Sequence, residues 1–210
     1  MHLFRIPSWL QSIYPGVVWH GNREGRQVYL TFDDGPVPGI TDFVLEELTK
    51  RGMGATFFMV GENVSRHPEL AREVVASGHA VGNHTYHHLN GRNTTFDAYM
   101  LDVALCQAEI SQCLGIVPTM FRPPYGRMKA KQRHALRSMY RVVLWEILAG
   151  DYVERLPAAL ISKEIQAKTR PGSIVLFHDQ QKTAAKIKKV LPDFLAFLDG
   201  EGFHATSLSL

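Results

Sequence analysis

Short apolar runs rich in β-branched and aromatic residues alternate with helix-patterned segments along nearly the whole chain, and this alternation limits the fold more than any other feature. Residues 28–32 read VYLTF and are stopped by turn chemistry at Asp34-Gly35-Pro36, the pattern of a buried strand. Phe43, Val44, Leu45 and Leu48 follow at helical spacing and predict a helix over 38–50, ended by Arg51-Gly52. The same reading places strands at 55–60, 79–82, 120–121, 141–145, 174–177 and 203–206. Helices fall at 68–77, opened by Pro68, at 95–114, capped by Thr94 or Thr95, and at 129–139, 157–168 and 183–199. Strictly alternating elements imply a parallel sheet with right-handed crossovers. About seven such units in one chain of 210 residues point to an α/β barrel reduced from the usual eight, with a doubly wound open sheet as the alternative. The chain shows no repeat, low-complexity tract or linker. It therefore reads as one domain over 1–210, with a catalytic core at 25–208 and an N-terminal extension, 1–24, packing on the barrel.

Composition excludes several classes. Hydrophobic residues at 45% and charged residues at 20% are ordinary for a globular chain. A formal charge of +3 is too weak and dispersed to expect a nucleic-acid partner. The densest basic run, Lys182, Lys186, Lys188 and Lys189, reads as a solvated helix face. Cys106 and Cys113 lie about 10 Å apart along one predicted helix, too far for a disulfide. No apolar run is long enough to cross a membrane. The first twenty residues lack a signal-peptide pattern, so the default expectation is a cytoplasmic protein.

In parallel α/β folds, reactive groups collect beyond the carboxyl ends of the strands. Asp33-Asp34 closes the first strand: one carboxylate can bind a metal while the other handles a proton, although Asp-Asp-Gly-Pro is also ordinary turn chemistry. The third strand leads into His84-Thr85-Tyr86-His87-His88. His84 and His88 at i, i+4 would share one face of a helical turn, as chelating histidines do, with His87 the lower-ranked rival ligand. Two histidines and one aspartate would leave coordination positions open for chemistry. After the fourth strand, Arg122-Pro123-Pro124-Tyr125 forms a stiff loop. Such a loop can aim a backbone N–H at an oxyanion, and Arg122 can hold a carboxylate through a bidentate pair. Glu146 and Asp151 follow the fifth strand. His178 follows the sixth, where small shifts move an imidazole pKa across neutrality.

These segments together resemble the polysaccharide deacetylase family, also called the NodB-homology domain or carbohydrate esterase family 4. T-F-D-D-G-P stands at Thr31 to Pro36, H-T-x-x-H at His84 to His88, R-x-P-Y at Arg122 to Tyr125, and L-x-H at Leu176 to His178. The similarity spans about 28–206, with the motifs in family order, each after a predicted strand. The resemblance implies a distorted, incomplete (β/α) barrel with about seven parallel strands. It further implies a divalent metal on Asp34, His84 and His88, most often zinc, with cobalt, nickel or manganese as alternatives. Asp33 would be the general base, oriented by Arg122, and His178 the general acid, paired with Asp151. The Tyr125 N–H would serve the oxyanion hole, with Pro123, Leu176 and Tyr152 in the substrate pocket. The fourth motif departs from the family's D-x-x-D-W: Leu148 stands for the first Asp and Tyr152 for the Trp.

The expected activity is removal of N-acetyl groups from N-acetylglucosamine-containing oligo- or polysaccharides, of chitooligosaccharide or peptidoglycan type, with release of acetate. A hydrolase of a non-peptide C–N bond in a ureide or cyclic amide is the rival on the same fold. An inactive glycan-binding module is the rival of another class. Retention of Asp33, His178 and the three ligand positions favours the enzyme.

Overall fold

A computed structural model describes residues 3–209; the outermost positions of the 1–210 domain reading lie outside the described residues. In chain order the elements are α1 (Ser8–Ser12), β1 (Gln27–Asp33), α2 (Thr41–Thr49), β2 (Thr56–Met59), α3 (Gly61–Arg66), α4 (Pro68–Ala76), β3 (Ala80–Asn83) and α5 (Phe96–Leu114). There follow β4 (Met120–Phe121), α6 (Ala130–Arg137), β5 (Arg141–Val142), β6 (Ile147–Leu148), α7 (Ala158–Lys168), β7 (Ile174–His178), α8 (Ala184–Gly200) and β8 (His204–Thr206). All strand pairs are parallel, in the order β5-β4-β3-β2-β1-β7-β6, with β8 added beside the start of β1. The sheet curls into a distorted, incomplete (β/α) barrel, as the alternation of elements implies.

Period-two alternation sorts the side chains. Val28, Leu30 and Phe32 of β1, Phe57 of β2 and Val175 and Phe177 of β7 pack outward against the helices in the main core. Their neighbours Tyr29, Phe58 and Ile174, with Met120 and Val143, form a separate cluster. Burying each such aliphatic or aromatic side chain is worth about 1.5–3 kcal/mol. The long helix α5 begins where Thr95 accepts from the Ala98 N–H at 3.4 Å and ends at Gly115 with φ 67°. Both cysteines are free thiols, Cys106 buried.

The short helices α1 and α3 are not among the sequence expectations, and the fifth strand differs from its expected form. The strand expected over 141–145 ends at Val142 as β5, beside β4, and a separate short strand, β6, follows on the opposite edge of the sheet beside β7. Residues 143–146 cross between them. Val143 N–H bonds to Phe121 O, Leu144 N–H to Val18 O, and Glu146 N–H to Ile174 O, so the partners change residue by residue. The N-terminal segment lies in this gap: Val18 N–H reaches Val142 O, and Ile6 N–H reaches Glu146 O. Glu146, which the sequence places just after the fifth strand, is fully buried beneath this segment. Its carboxylate accepts from Arg5, Arg23, Arg170 and the Ser173 hydroxyl. Burial alone would raise its pKa, but the Arg23, Arg170 and Ser173 hydrogen bonds outweigh it and hold the carboxyl at about 2.

His79, just before β3, is buried with neither ring nitrogen hydrogen-bonded. Burial therefore depresses its pKa below the ordinary 6.5. The unfolded chain binds a proton at His79 that the folded chain refuses. The stabilising difference is complete above the unfolded pKa and is lost as pH falls from there toward the depressed folded value. His79→Leu is expected to flatten the fall in stability below pH 6.5, by at most about 1.4 kcal/mol per pH unit. Denaturant midpoints at several pH values check this; parallel curves for the two proteins would refute it.

Candidate metal and acid–base site

The carboxyl ends of β1, β3, β4 and β7 bring the motif residues together. Asp33 ends β1 inside the barrel; Asp34 leaves the strand with φ 83°, followed by a cis Gly35-Pro36 peptide. Gly35 is required by close approach: a Cβ there would stand 2.0 Å from Asp179 Oδ2. Asp179 accepts from the Gly35 N–H at 3.1 Å and the Thr41 hydroxyl at 2.6 Å. Burial pushes its carboxyl up to about 8. Its own N–H bonds to Asp33 O, so this aspartate ties β7 to the Asp33-Asp34 turn.

Ligand atoms of Asp34, His84 and His88 all lie within 4.8 Å of one another. Asp34 Oδ1 is 3.0 Å from His88 Nε2 and 3.5 Å from His84 Nε2, and is buried without a hydrogen-bond donor. Its other oxygen accepts from the Gln180 amide at 2.6 Å. His84 Nδ1 lies 2.7 Å from the Arg122 carbonyl, which can only accept. A proton therefore sits on Nδ1, which leaves Nε2 as the ring atom turned toward Asp34, the nitrogen that a metal-binding histidine held this way would offer. A carboxylate oxygen with no donor between two imidazole nitrogens fits a divalent ion. Burial would raise the Asp34 pKa, but the His84 and His88 contacts hold it far below the usual carboxylate range.

The two histidines converge by a loop and not by the expected helical turn. Thr85 and His88 have φ 64° and 55°. Asn83 Oδ1 accepts the Thr85 N–H, and Asp102 on α5 accepts the Tyr86 and His87 N–H groups. Asp102 also holds His87 Nδ1 at 2.6 Å, which takes the rival ligand out of the cluster. Asp34, Thr85, His88 and Tyr125 are the non-glycine residues with left-handed φ among the described residues, and all belong to this site. Such conformations cost about 1–3 kcal/mol each and persist where surrounding contacts impose them.

Arg122 is fully buried. Its Nη1 donates to Asp33 Oδ1 at 2.7 Å and Thr31 Oγ1 at 2.9 Å, Nη2 to Leu144 O, and Nε to Val143 O. The pair with Asp33 is thus single and not bidentate, because the other nitrogens serve the crossing segment. His178 Nδ1 lies 2.9 Å from Asp151 Oδ1, and its N–H donates to Asp151 Oδ2. Burial would lower the His178 pKa, but the Asp151 carboxylate, with Asp34 and Asp33 behind it, raises it to about 9.

A cavity of about 600 Å³ opens over these groups. Asp33, Asp34, His84, His88 and His178 line it, together with Tyr125, Tyr152, Leu176, Trp145 and Leu148. Tyr125 has φ 61° and an exposed ring 4.7 Å from that of His88. The Tyr152 ring meets His178 edge-on at 5.1 Å. Pro123 is buried and is not among the lining residues; its carbonyl accepts the Gly126 N–H, so it shapes the loop and does not face the cavity. Arg122 and Asp151 likewise lie behind the wall, bonded to Asp33 and His178. Sequence reasoning missed Gln180, Asp102 and Asp179, whose partners lie 146, 15 and 138 positions away. It also left Trp145, which the cavity exposes, without a role.

A family model described as polysaccharide deacetylase matches residues 20–143. A peptidoglycan-N-acetylglucosamine deacetylase of Bacillus cereus is 31% identical over 200 residues, covering 92% of this chain and 91% of that protein. A chitooligosaccharide deacetylase of Azorhizobium caulinodans is 33% identical, covering 87% and 83%. Among solved structures, a peptidoglycan N-acetylglucosamine deacetylase superposes with a TM-score of 0.83 at 28% identity, covering 97% of this chain and 95% of that one. With four of the family's motifs gathered around one cavity and a family model matching more than half its length, this chain belongs to the polysaccharide deacetylase family.

Proposed function

We propose that the protein is a metal-dependent N-deacetylase of N-acetylglucosamine-containing glycans, of chitooligosaccharide or peptidoglycan type, releasing acetate. The observation that carries this reading is the convergence of an Asp34-His84-His88 ligand set with two groups of opposite proton character, Asp33 and His178, in one cavity. Relatives named for both substrate types support it. Two imidazoles and a carboxylate suit zinc best, with cobalt, nickel or manganese able to substitute. When bound, a divalent ion polarises an acyl carbonyl and acidifies water.

The chain's own groups supply the rest. Asp33, fixed by Arg122, takes a proton from the attacking water. The Tyr125 N–H, held on a loop stiffened by Pro123 and Pro124, donates to the oxyanion. His178 carries a proton at neutral pH because Asp151 stabilises the imidazolium, and it delivers that proton to the departing amine. Leu176, Leu148 and Trp145 wall the space for the acetyl methyl, and Tyr152 borders His178 there.

The experiment is an acetate-release screen over chitooligosaccharides, peptidoglycan and acetylated xylan, with ammonia measured in parallel. Acetate without ammonia is expected from an N-acetylated glycan. With a ureide and a cyclic amide added to the screen, ring opening of the cyclic amide or ammonia from the ureide, with no acetate from any glycan, would replace this reading with its rival on the same fold. Glycan retention with no release from any substrate would make the protein a binding module.

A further inference from the structure

Asp33 and Asp34 are neighbours in the chain with different kinds of partner. Asp33 meets the Arg122 guanidinium at 2.7 Å. Asp34 faces two imidazoles through Oδ1 and, through Oδ2, the uncharged side chain of Gln180 at 2.6 Å. An ionised carboxylate only accepts, so the amide nitrogen is the Gln180 atom that points at it. His178, Asp179 and Gln180 stand in sequence at the end of β7 and grip Asp151, the Gly35 N–H and Asp34 in turn. Gln180 is itself anchored, because the buried Thr183 donates its hydroxyl to the Gln180 carbonyl at 2.9 Å. Asp34 is also held at its backbone, where Asn63 Nδ2 donates to the Asp34 carbonyl at 2.7 Å.

The last torsion of an aspartate joins a tetrahedral carbon to a trigonal one and has no sharp staggered wells. Nothing within the residue therefore fixes which oxygen faces His84 and His88. An amide bonded to Oδ2 does fix it, and leaves Oδ1, buried without a donor, turned to the ligand cluster. A lysine or arginine in its place would hold the same oxygen but set a positive charge against a bound cation. The neutral amide orients the carboxylate and leaves its charge whole. We infer that Gln180 is a positioning residue that makes Asp34 a one-oxygen ligand, so that a divalent ion on Asp34, His84 and His88 keeps coordination positions open. This rests on the metal-dependent reading above and adds to it a residue outside the family motifs.

The test uses Gln180→Met, which keeps an unbranched stem of similar length and removes the donor. Zinc affinity is measured by competition with a chromogenic chelator. The cobalt-loaded proteins are compared by visible absorption, which reports coordination geometry and weakens as ligands are added. Equal Tm values of the metal-free proteins confirm that both are folded; where Gln180→Met lowers that Tm, Gln180→Leu, also without a donor, replaces it. The expected result is zinc affinity lower by about 10–100-fold, the usual effect of removing a group that orients a metal ligand. The cobalt bands are expected to weaken as the freed Oδ2 joins the ion. Unchanged zinc affinity overturns the proposal and leaves the metal-dependent reading intact. So does a weakened affinity with cobalt bands identical to wild type, because the lost bond then does not govern how Asp34 binds. Wild-type protein that takes up no zinc overturns the metal-dependent reading, and the proposal with it.

Discussion

Replacing Asp33 with Asn is expected to cut acetate release by about 10²–10⁴-fold while the metal stays bound. The substitution preserves size and lets the Arg122 Nη1 contact persist as a hydrogen bond to an amide oxygen. What disappears is the group that accepts a proton. Asp34, His84 and His88 retain their mutual spacing, because Asp33 is not among them. Arg122 keeps its bonds to Thr31, Val143 and Leu144, so the loop holding the guanidinium stays ordered. The check pairs single-turnover acetate release with elemental analysis of the same preparation. Near wild-type turnover with metal bound would mean that another residue takes the proton.

The second large effect is on stability. Arg122 is a fully buried guanidinium whose one carboxylate partner is Asp33. Its Cζ lies 4.1 Å from the Phe58 ring centroid, and the guanidinium bridges β1, β4 and the crossing segment 143–146. Arg122→Met removes the partner and leaves a carboxylate buried without counter-charge, a change that typically costs about 3–5 kcal/mol. That is a large share of the 5–15 kcal/mol that stabilises an ordinary domain. Arg122→Lys keeps the charge, but one ammonium cannot reach the acceptors that the guanidinium fork serves, so an intermediate loss is expected. Urea midpoints measure both. A shift below about 1 kcal/mol for Arg122→Met would show that the burial seen here contributes little, and would detach Arg122 from the positioning of Asp33.

Much of this architecture is legible in the chain because the signals are local. The run VYLTF, the helix start at Thr95 and the stop at Gly115 need only their neighbours, and each lies where the sequence puts it. The motif residues share a rim because every one follows a strand in a parallel sheet. Illegible features depend on distant partners. Residues 141–145 read as one strand because apolar content cannot reveal that hydrogen-bond partners switch from β4 to the N-terminal segment and, by Glu146, to β7. His84 and His88 do converge, as their spacing suggests, but on a loop and not a helical turn, since Asp102, from a helix later in the chain, bends that loop. Glu146 shows no sign in sequence of the three arginines that surround it, at separations of 141, 123 and 24 residues. Gln180 looks like any loop glutamine until Asp34 Oδ2 is found beside it.

Acetate release is expected to depend on an ion held by Asp34, His84 and His88. The direct measurement strips the protein with chelator, confirms by elemental analysis that it is metal-free, and titrates zinc back while following acetate released from an N-acetylglucosamine oligomer. The stripped protein is expected to release none and to recover fully at one equivalent of zinc, with His88→Ala needing far more. Undiminished acetate release from protein shown to be free of metal would contradict this dependence.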